Sequence, residues 1–311
     1  MTRFTFLIVC WATLSLTGCE GVNRLRAGTF GFKEARIESI SHIPGTPIRI
    51  ETQNGSIAVE ATDRPDVKIV ALIHTKSKAR LKSTHIVTRR LEGDTLRIEA
   101  KWPEGGRKGT ESASFEIYVP EANGIFASTS NAPISIKGLS GPAWLKTSND
   151  RIEVTNHRGN LRATTSNDSI VIVSHQGSVK ARSSNDDIRI RGVTGPVVVR
   201  TSNGAIDVNS AESSVTARTS NDEISIELTD NAVGPVVADT SNDPISLVVG
   251  EKFAGDVDLT TNERCIIDEQ LRRYVVDHGN NHVELRIGKG PKSRLATRNA
   301  PISVMARDAV E

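Results

Sequence analysis

Asparagine and acidic side chains recur at a fixed spacing through this chain of 311 residues. The repeated unit reads Thr-Ser-Asn-Asp/Gly-x-Ile-x-Val, and an Asp follows the Asn at Asp150, Asp168, Asp186, Asp222 and Asp243. The repeated Asn residues are 18 apart, with a last step of 21, and are Asn131, Asn149, Asn167, Asn185, Asn203, Asn221 and Asn242. Oxygen atoms in such a row could bind a metal ion, and paired Asp residues could act as catalytic acids and bases.

The flanks of each Asn favour a structural explanation of the same spacing. Small or apolar residues precede it by six, four and two positions, and Ile or Val follow it by three and five. Alternation with period two is typical of strands with one buried face, and a constant step indicates stacked units. The sequence therefore predicts an all-β fold, a single-chain parallel β-solenoid with rungs of about 18 residues. We expect right-handed, β-helix-like winding, because parallel crossovers prefer that hand.

In such a solenoid the seven repeated Asn residues would form a ladder at the corner between two strands. A tight corner was expected to need a positive φ, which Asn, Asp and Gly tolerate best. Stacked amides would also hydrogen bond to the rungs above and below, at about 1 kcal/mol each. Gly204 interrupts the Asp row, and a calcium-binding glycine-aspartate nonapeptide pattern is absent. We therefore predict a structural ladder, with no catalytic residue, metal or cofactor.

The repeat resembles the adhesin-like family of bacterial β-solenoid proteins. The resemblance lies in the repeated unit, in residues 48–59 (IRIETQNGSIAV) and in residues 115–120 (FEIYVP), and it extends over roughly 37–304. It implies the solenoid fold and leaves the ligand open. This chain mostly has Asp where the family often has Gly after the Asn.

Basic residues occupy outward positions three and five before the Asn. Six of them fall on one predicted face: Lys146, Arg162, Lys180, Arg182, Arg200 and Arg218. Like charges on adjacent strands are destabilising, so the stacked arginines predict an anionic partner, either an acidic polysaccharide, lipopolysaccharide phosphates or an acidic protein face. The alternative is an ion pair around the corner, Arg182 with Asp186 and Arg218 with Asp222, at about 0–1 kcal/mol each. Arg200 would stay free, because Gly204 replaces its Asp.

The N-terminus predicts export. Arg3 precedes an apolar run at 4–16, which is too short for a membrane span and suits a signal peptide. Leu-Thr-Gly-Cys at 16–19 resembles the lipobox of bacterial lipoproteins. This resemblance implies a signal peptide at 1–18, lipidation of Cys19 and a lipid-anchored tether at 19–35. Glu20, in the place of an Asp, implies the outer membrane by analogy with Gram-negative sorting.

The regular repeat does not extend over the whole exported region. It is lost before residue 124, so we predict a first rung plus an irregular β cap at 36–123 and regular repeats at 124–311. A cap would cover the strand edges of the solenoid's open end. Near the C-terminus, spacing and motif place a corner at Asn262, whereas the apolar alternation places it at Glu263. Cys265 points inward only in the first case.

Two histidines and one acidic pair are the remaining chemical candidates. His157 and His175 should stack near the return turn, and they lack further metal ligands, so we interpret them as loop histidines.

The nearly balanced charge of +2 predicts no nucleic-acid partner. The sequence favours a lipid-anchored, non-enzymatic envelope solenoid, acting as an adhesin-like binding or scaffold module. The alternatives are a carbohydrate-active β-helix enzyme using Asp186 and Asp187, and a passive structural envelope protein.

Overall fold

The computed structural model describes residues 31–279 and 281–307. Within these ranges the chain forms 27 strands in two mostly parallel sheets, with one short α-helix, and the predicted all-β solenoid is confirmed. The predicted signal peptide, the lipidated Cys19 and the first part of the tether lie outside the described residues. The last four residues of the predicted tether, 32–35, belong to the first strand.

Sheet A has thirteen strands. In spatial order they are β1 (Phe32–Ser41), β4 (Asp66–Thr75), β7 (Ser112–Val119), β3 (Ile57–Ala61), β9 (Ile134–Lys137), β11 (Ile152–Thr155), β13 (Ile170–His175), β15 (Ile188–Val193), β17 (Ile206–Ala211), β19 (Ile224–Leu228), β21 (Ile245–Val249), β27 (Ile302–Ala306) and β23 (Cys265–Ile267).

Sheet B has fourteen strands. In spatial order they are β24 (Val275–His278), β25 (His282–Ile287), β22 (Gly255–Thr260), β26 (Ser293–Ala296), β20 (Val236–Asp239), β18 (Val215–Arg218), β16 (Val197–Arg200), β14 (Val179–Arg182), β12 (Leu161–Thr164), β10 (Ser140–Lys146), β8 (Asn123–Ser128), β2 (Ile48–Glu51), β6 (Leu96–Lys101) and β5 (His85–Arg90). The helix α1 (Lys78–Ser83) and 3-10 turns at Glu92–Asp94 and Arg272–Tyr274 complete the structure.

Each regular coil contributes one strand to each sheet. Equivalent positions of the motif pair with one another in successive coils. Ile170 pairs with Ile152 and Ile188 in sheet A, and Ala181 pairs with Ala163 in sheet B. All of these side chains are buried. Because Ala and Val recur on the inner face of sheet B, the core is narrow, which explains why aromatic residues make up only 4% of the chain.

A buried hydroxyl in each coil ties one corner to the next. The Thr or Ser two positions before each ladder Asn faces inward, and its hydroxyl donates to a backbone carbonyl of the preceding coil. Thr165 donates to the carbonyl of Asp150 at 2.8 Å, and Thr201 donates to that of Asp186 at 3.1 Å. Since a buried polar group is stable only when it is hydrogen-bonded, these bonds explain why the core accepts a hydroxyl there.

The left-handed backbone lies at a different corner from the predicted one. None of the ladder Asn residues has a positive φ within the described ranges, so that expectation was wrong. Positive φ instead recurs every 18 residues at the end of the sheet A strands, at Gly138 (73°), Asn156 (53°), Ser174 (56°), Gly192 (66°) and Ser210 (57°). The Asn is therefore selected at its corner for its amide group and not for backbone freedom.

Both ends of the solenoid depart from chain order. The first coil, β2 and β3, stacks between the β6–β7 coil and the β8–β9 coil. At the other end the last coil, β26 and β27, stacks between β20–β21 and β22–β23. Each terminal coil is thus the second coil from its end, and antiparallel strands complete the sheets beyond the outermost coil. The prediction of regular repeats over 124–311 did not include the C-terminal insertion.

The N-terminal cap contains a buried ion pair. The Glu111 side chain is fully buried, and its carboxylate accepts from the Arg80 guanidinium at 2.6 and 2.8 Å. The backbone N–H groups of Lys108 and Lys76 also donate to this carboxylate. The hydrogen bond from Arg80 lowers the pKa of Glu111 to about 2, against the opposing effect of burial. The pair joins helix α1 to the loop that precedes β7.

The ambiguous corner near the C-terminus is one residue shorter than its neighbour. Cys265 pairs with Ile302 and is half-buried against the core, as the Asn262 frame predicts. Leu259 pairs with Leu295, so six residues separate the paired positions in this coil, against seven in the next. The corner therefore lacks one residue. The Glu263 frame is correct for the strand before it, and the Asn262 frame is correct for the strand after it.

Candidate ligand-binding face

The seven ladder Asn residues form one continuous chain of side-chain amides. Each Nδ2 donates to the Oδ1 of the Asn one coil earlier, at distances between 2.5 and 3.0 Å. The chain begins at Asn54 and ends at Asn299, through Asn131, Asn149, Asn167, Asn185, Asn203, Asn221 and Asn242. Because both polar groups of each inner amide are used, the ladder is a structural feature that holds the corner in register.

The six predicted basic residues all lie on the outer face of sheet B and are exposed. Arg182, Arg200 and Arg218 are in direct register on β14, β16 and β18, and Arg162 pairs with Lys180 on β12 and β14. Lys146 lies on β10 in register with Thr164. We call this set the basic face: Lys146, Arg162, Lys180, Arg182, Arg200 and Arg218.

The five central strands of the basic face carry no acidic residue. Their sequences are SGPAWLK, LRAT, VKAR, VVVR and VTAR. An acid first appears on the next strand, where Asp239 accepts from Arg218 at 3.1 Å and contacts Arg294 at 3.4 Å. The other five cations of the face make no ion pair within residues 31–279 and 281–307.

The ion pairs expected around the corner are not formed. Asp186 instead accepts a hydrogen bond from the backbone N–H of Asp187 at 2.7 Å, and Asp222 accepts one from Glu223 at 2.8 Å. Arg218 takes its partner from the next coil, not from its own. Arg182 is therefore as free as Arg200, although the sequence distinguished them.

A shallow groove of about 330 Å³ follows the arginine row. Its walls include the three stacked arginines and, one position before the ladder Asn residues, Ser202, Ser220 and Ser241. The hydroxyls of Ser202 and Ser220 make no side-chain hydrogen bond in the described part of the chain. The groove thus presents parallel rows of guanidinium and hydroxyl groups, which can bind carboxylate, phosphate or sulfate oxygens together with neutral oxygens.

An aromatic stack adjoins the basic face and was missed by the sequence analysis. The rings of Phe126 and Trp144 lie 4.2 Å apart at an interplanar angle of 19°. The Arg49 guanidinium lies 4.1 Å from the centroid of the Phe126 ring. Phe126 and Trp144 are both five positions before a ladder Asn, so their 18-residue spacing was a signal that could have revealed the pair.

Beyond this central region, several cations of sheet B have acidic partners. On the N-terminal side Arg97 contacts Glu51 at 3.3 Å and Glu99 at 2.7 Å. On the C-terminal side Arg286 contacts Asp256, and Lys292 contacts Asp258 at 2.7 Å. The row of adjacent strands whose cations lack an acidic partner therefore lies in the middle of the sheet.

His157 lies in the turn after β11 and His175 is the last residue of β13, so the interpretation as loop histidines holds for His157 only. Both side chains are buried in the core. Their rings stack at 5.2 Å, and their Nδ1 atoms are 3.4 Å apart. Burial, with a smaller contribution from the neighbouring His175, lowers the pKa of His157 to about 4. Burial also lowers the pKa of His175. Leu139 and Val193 occupy the equivalent inward position in the coils on either side, and we call this row of stacked positions a core column.

The adjacent acidic residues Asp186 and Asp187 are both hydrogen-bonded at their corner. Asp187 accepts from the backbone of Ala205 at 2.9 Å and pairs with Arg189 at 2.5 Å, so both members of the acidic pair are held by the turn. The described residues contain no group of three or more His, Cys, Asp or Glu side chains placed to hold a metal ion. They also include no helix with the length and apolar character needed to cross a membrane.

Comparisons with known proteins give structural alignments at low sequence identity and low TM-score. No family model and no curated protein matches the chain. A candidate lipid-binding protein from Parabacteroides distasonis aligns over 88% of this chain and 98% of its own, with 12% identity and a TM-score of 0.46. A candidate adhesin from Bacteroides fragilis covers 90% of this chain and aligns over 100% of its own, with 10% identity and a TM-score of 0.40. A candidate cell adhesion protein from Clostridium sporogenes covers 89% and 100%, with 10% identity and a TM-score of 0.23.

Proposed function

We propose that this protein is a non-enzymatic binding module of the bacterial envelope, and that its basic face binds an anionic polymer. One observation supports this above all others. Five cations on four adjacent strands, Lys146, Arg162, Lys180, Arg182 and Arg200, have no acidic partner in the described structure. The lipobox-like sequence would attach the module to a membrane through Cys19, in the outer membrane by the sorting analogy.

The energetics of the basic face favour a partner. Adjacent strands lie about 4.8 Å apart, so stacked arginines repel one another in the unbound protein. Both ends of sheet B show that the fold readily places acids beside such cations, as Asp239 does for Arg218. The absence of acids from the middle strands therefore leaves a charge that an external polyanion would neutralise, with affinity that falls as salt rises.

The geometry gives less support to the alternatives. An enzyme using Asp186 and Asp187 would need carboxylates available to a substrate, whereas both accept bonds within their own turn and its neighbours. A passive structural protein would have no use for an uncompensated face. A protein with an acidic surface remains the second candidate partner, because it would satisfy the same cations.

The proposal is tested by polyanion binding to the full-length protein in a nonionic detergent, at low and high salt. The test variant combines Arg162→Ser, Arg182→Ser and Arg200→Ser on sheet B. The control combines Arg151→Ser, Arg189→Ser and Arg191→Ser, which removes the same charge from exposed positions on the sheet A side. Lipopolysaccharide and polygalacturonate serve as probes.

We expect salt-sensitive binding that only the sheet B variant loses. Equal losses in both variants would mean that net charge alone attracts the polymer, and the basic face would not be the site. No binding by the unmodified protein would refute the proposed function.

A further inference from the structure

The aromatic stack beside the basic face ends at Trp144, a half-buried ring with a stacking partner on one face only. Phe126 covers one face of Trp144, and Arg49 lies over Phe126. These three residues occupy the consecutive strands β2, β8 and β10, so the stack runs along the solenoid axis. The second face of Trp144 therefore points toward β12. No ring or cation of the described chain stacks on that face.

Cations continue the line that the aromatic stack begins. Trp144 is in register with Arg162, which is in register with Lys180, and all three point outward. The arginine row runs alongside on the same sheet, and the groove serines lie at the adjoining corner. A molecule lying along the axis would meet an aromatic ring face first, then charged and hydroxyl groups at steps of about 4.8 Å.

We propose that the ligand of the basic face is an acidic polysaccharide that lies along the solenoid axis. One sugar ring packs its C–H face against Trp144, and the carboxylates of the following sugars bind Arg162, Lys180 and the groove arginines. The inference rests on the proposed function and narrows it to one ligand class. Aromatic rings bind apolar ring faces, guanidinium groups bind carboxylates, and serine hydroxyls bind sugar hydroxyls.

Other polyanions fit fewer of these features. Inorganic polyphosphate and lipid phosphates would use the cations and leave the second face of Trp144 without a stacking partner. A nucleic acid could stack a base on it, but nucleic-acid-binding domains carry a strong basic excess, whereas this chain has a net charge of only +2. The glycan is therefore the ligand class that uses the ring, the cations and the hydroxyls together.

The test measures the affinity of the full-length protein in nonionic detergent for four probes. Polygalacturonate has rings and charge, inorganic polyphosphate has charge alone, dextran has rings alone, and oligo(dT) represents nucleic acid. The variant is Trp144→Thr, because the same column has Thr216 on β18, so the strand accepts threonine there. Val171→Ala, an outward apolar residue on sheet A, is the control, and a thermal melt of each variant verifies folding.

We expect Trp144→Thr to weaken polygalacturonate binding about tenfold and polyphosphate binding less than about twofold. Arg182→Ser with Arg200→Ser should weaken both, and Val171→Ala neither. Equal effects of Trp144→Thr on the two polyanions would overturn the glycan inference and leave the proposed function standing. Tighter binding of oligo(dT), or equal binding of dextran, would also overturn it. Failure of every polyanion to bind would instead refute the proposed function.

Discussion

The buried histidine pair predicts that this solenoid loses stability in mildly acidic solution. His157 and His175 are each 1% exposed, and they face each other through Nδ1 atoms 3.4 Å apart. When both imidazoles are neutral, one Nδ1–H can donate to the other Nδ1. When both are protonated, two N–H donors and two positive charges face each other in the core.

The magnitude follows from the lowered pKa. The folded-state pKa of His157 is about 4, whereas the unfolded chain titrates near 6.5. The unfolded state therefore binds more protons between these values, and the free energy of unfolding falls as pH falls. For His157 alone the loss between pH 7.5 and 5 is about 2 kcal/mol. The lowered pKa of His175 adds to it in the same direction.

The matched variant is His157→Leu with His175→Val. These residues occupy the same core column in neighbouring coils, at Leu139 and Val193, so the fold accepts their shapes. The free energy of unfolding is measured by urea denaturation at several pH values from 7.5 to 5, followed by circular dichroism. NMR titration of the unmodified protein measures the two histidine pKa values directly.

We expect the unmodified protein to lose stability over this range, and the double variant to lose markedly less. At pH 7.5 the two should be similar, since the neutral histidines already fit the core. Parallel pH profiles would refute the reasoning, as would a His157 pKa near 6.5. Either result would mean that water or a rearranged turn solvates the pair.

Three further predictions concern the parts that hold the solenoid together. Asn185→Ala removes two ladder hydrogen bonds, at 2.7 and 3.0 Å, and should lower the free energy of unfolding by about 2 kcal/mol in urea denaturation; an unchanged midpoint would show that water replaces the amides. Glu111→Gln leaves the half-buried Arg80 guanidinium without its carboxylate and should lower the midpoint of urea denaturation, with a cap that becomes protease-sensitive before the array does. In the unmodified protein the stability from this pair is present above pH 4.5 and is lost as pH falls toward about 2. Ile188→Asp places an unpaired carboxylate at a fully buried position and should prevent stable folding. Arg189→Asp, at the adjacent outward position, should not. Similar thermal melts of the two variants would contradict the assignment of inward and outward side chains.

The candidate site was only partly predictable from the chain. The offset from each Asn determined that six cations share one outer face, since side chains alternate along a strand. It could not determine their partners, because ion pairs form between coils and depend on which residue arrives on the next strand. Arg218 pairs with Asp239 on β20, although the coil between them has 21 residues and not 18. The three extra residues are accommodated outside the strands, so the register of the strands is kept.

The sequence by itself determined the parallel stacking, the inward and outward faces and the narrow core of the regular array. The alternation of apolar and polar residues along each strand specifies the faces, and the constant repeat length makes one strand register hold for every coil. The tertiary structure decided the order of the coils at both ends, where pairing is non-local and chain order does not constrain it. It also decided which corner is left-handed, which arginines lack an acid, and that two histidines of adjacent coils share a core column. These depend on contacts between coils, since a side chain's partner lies one turn of the solenoid away.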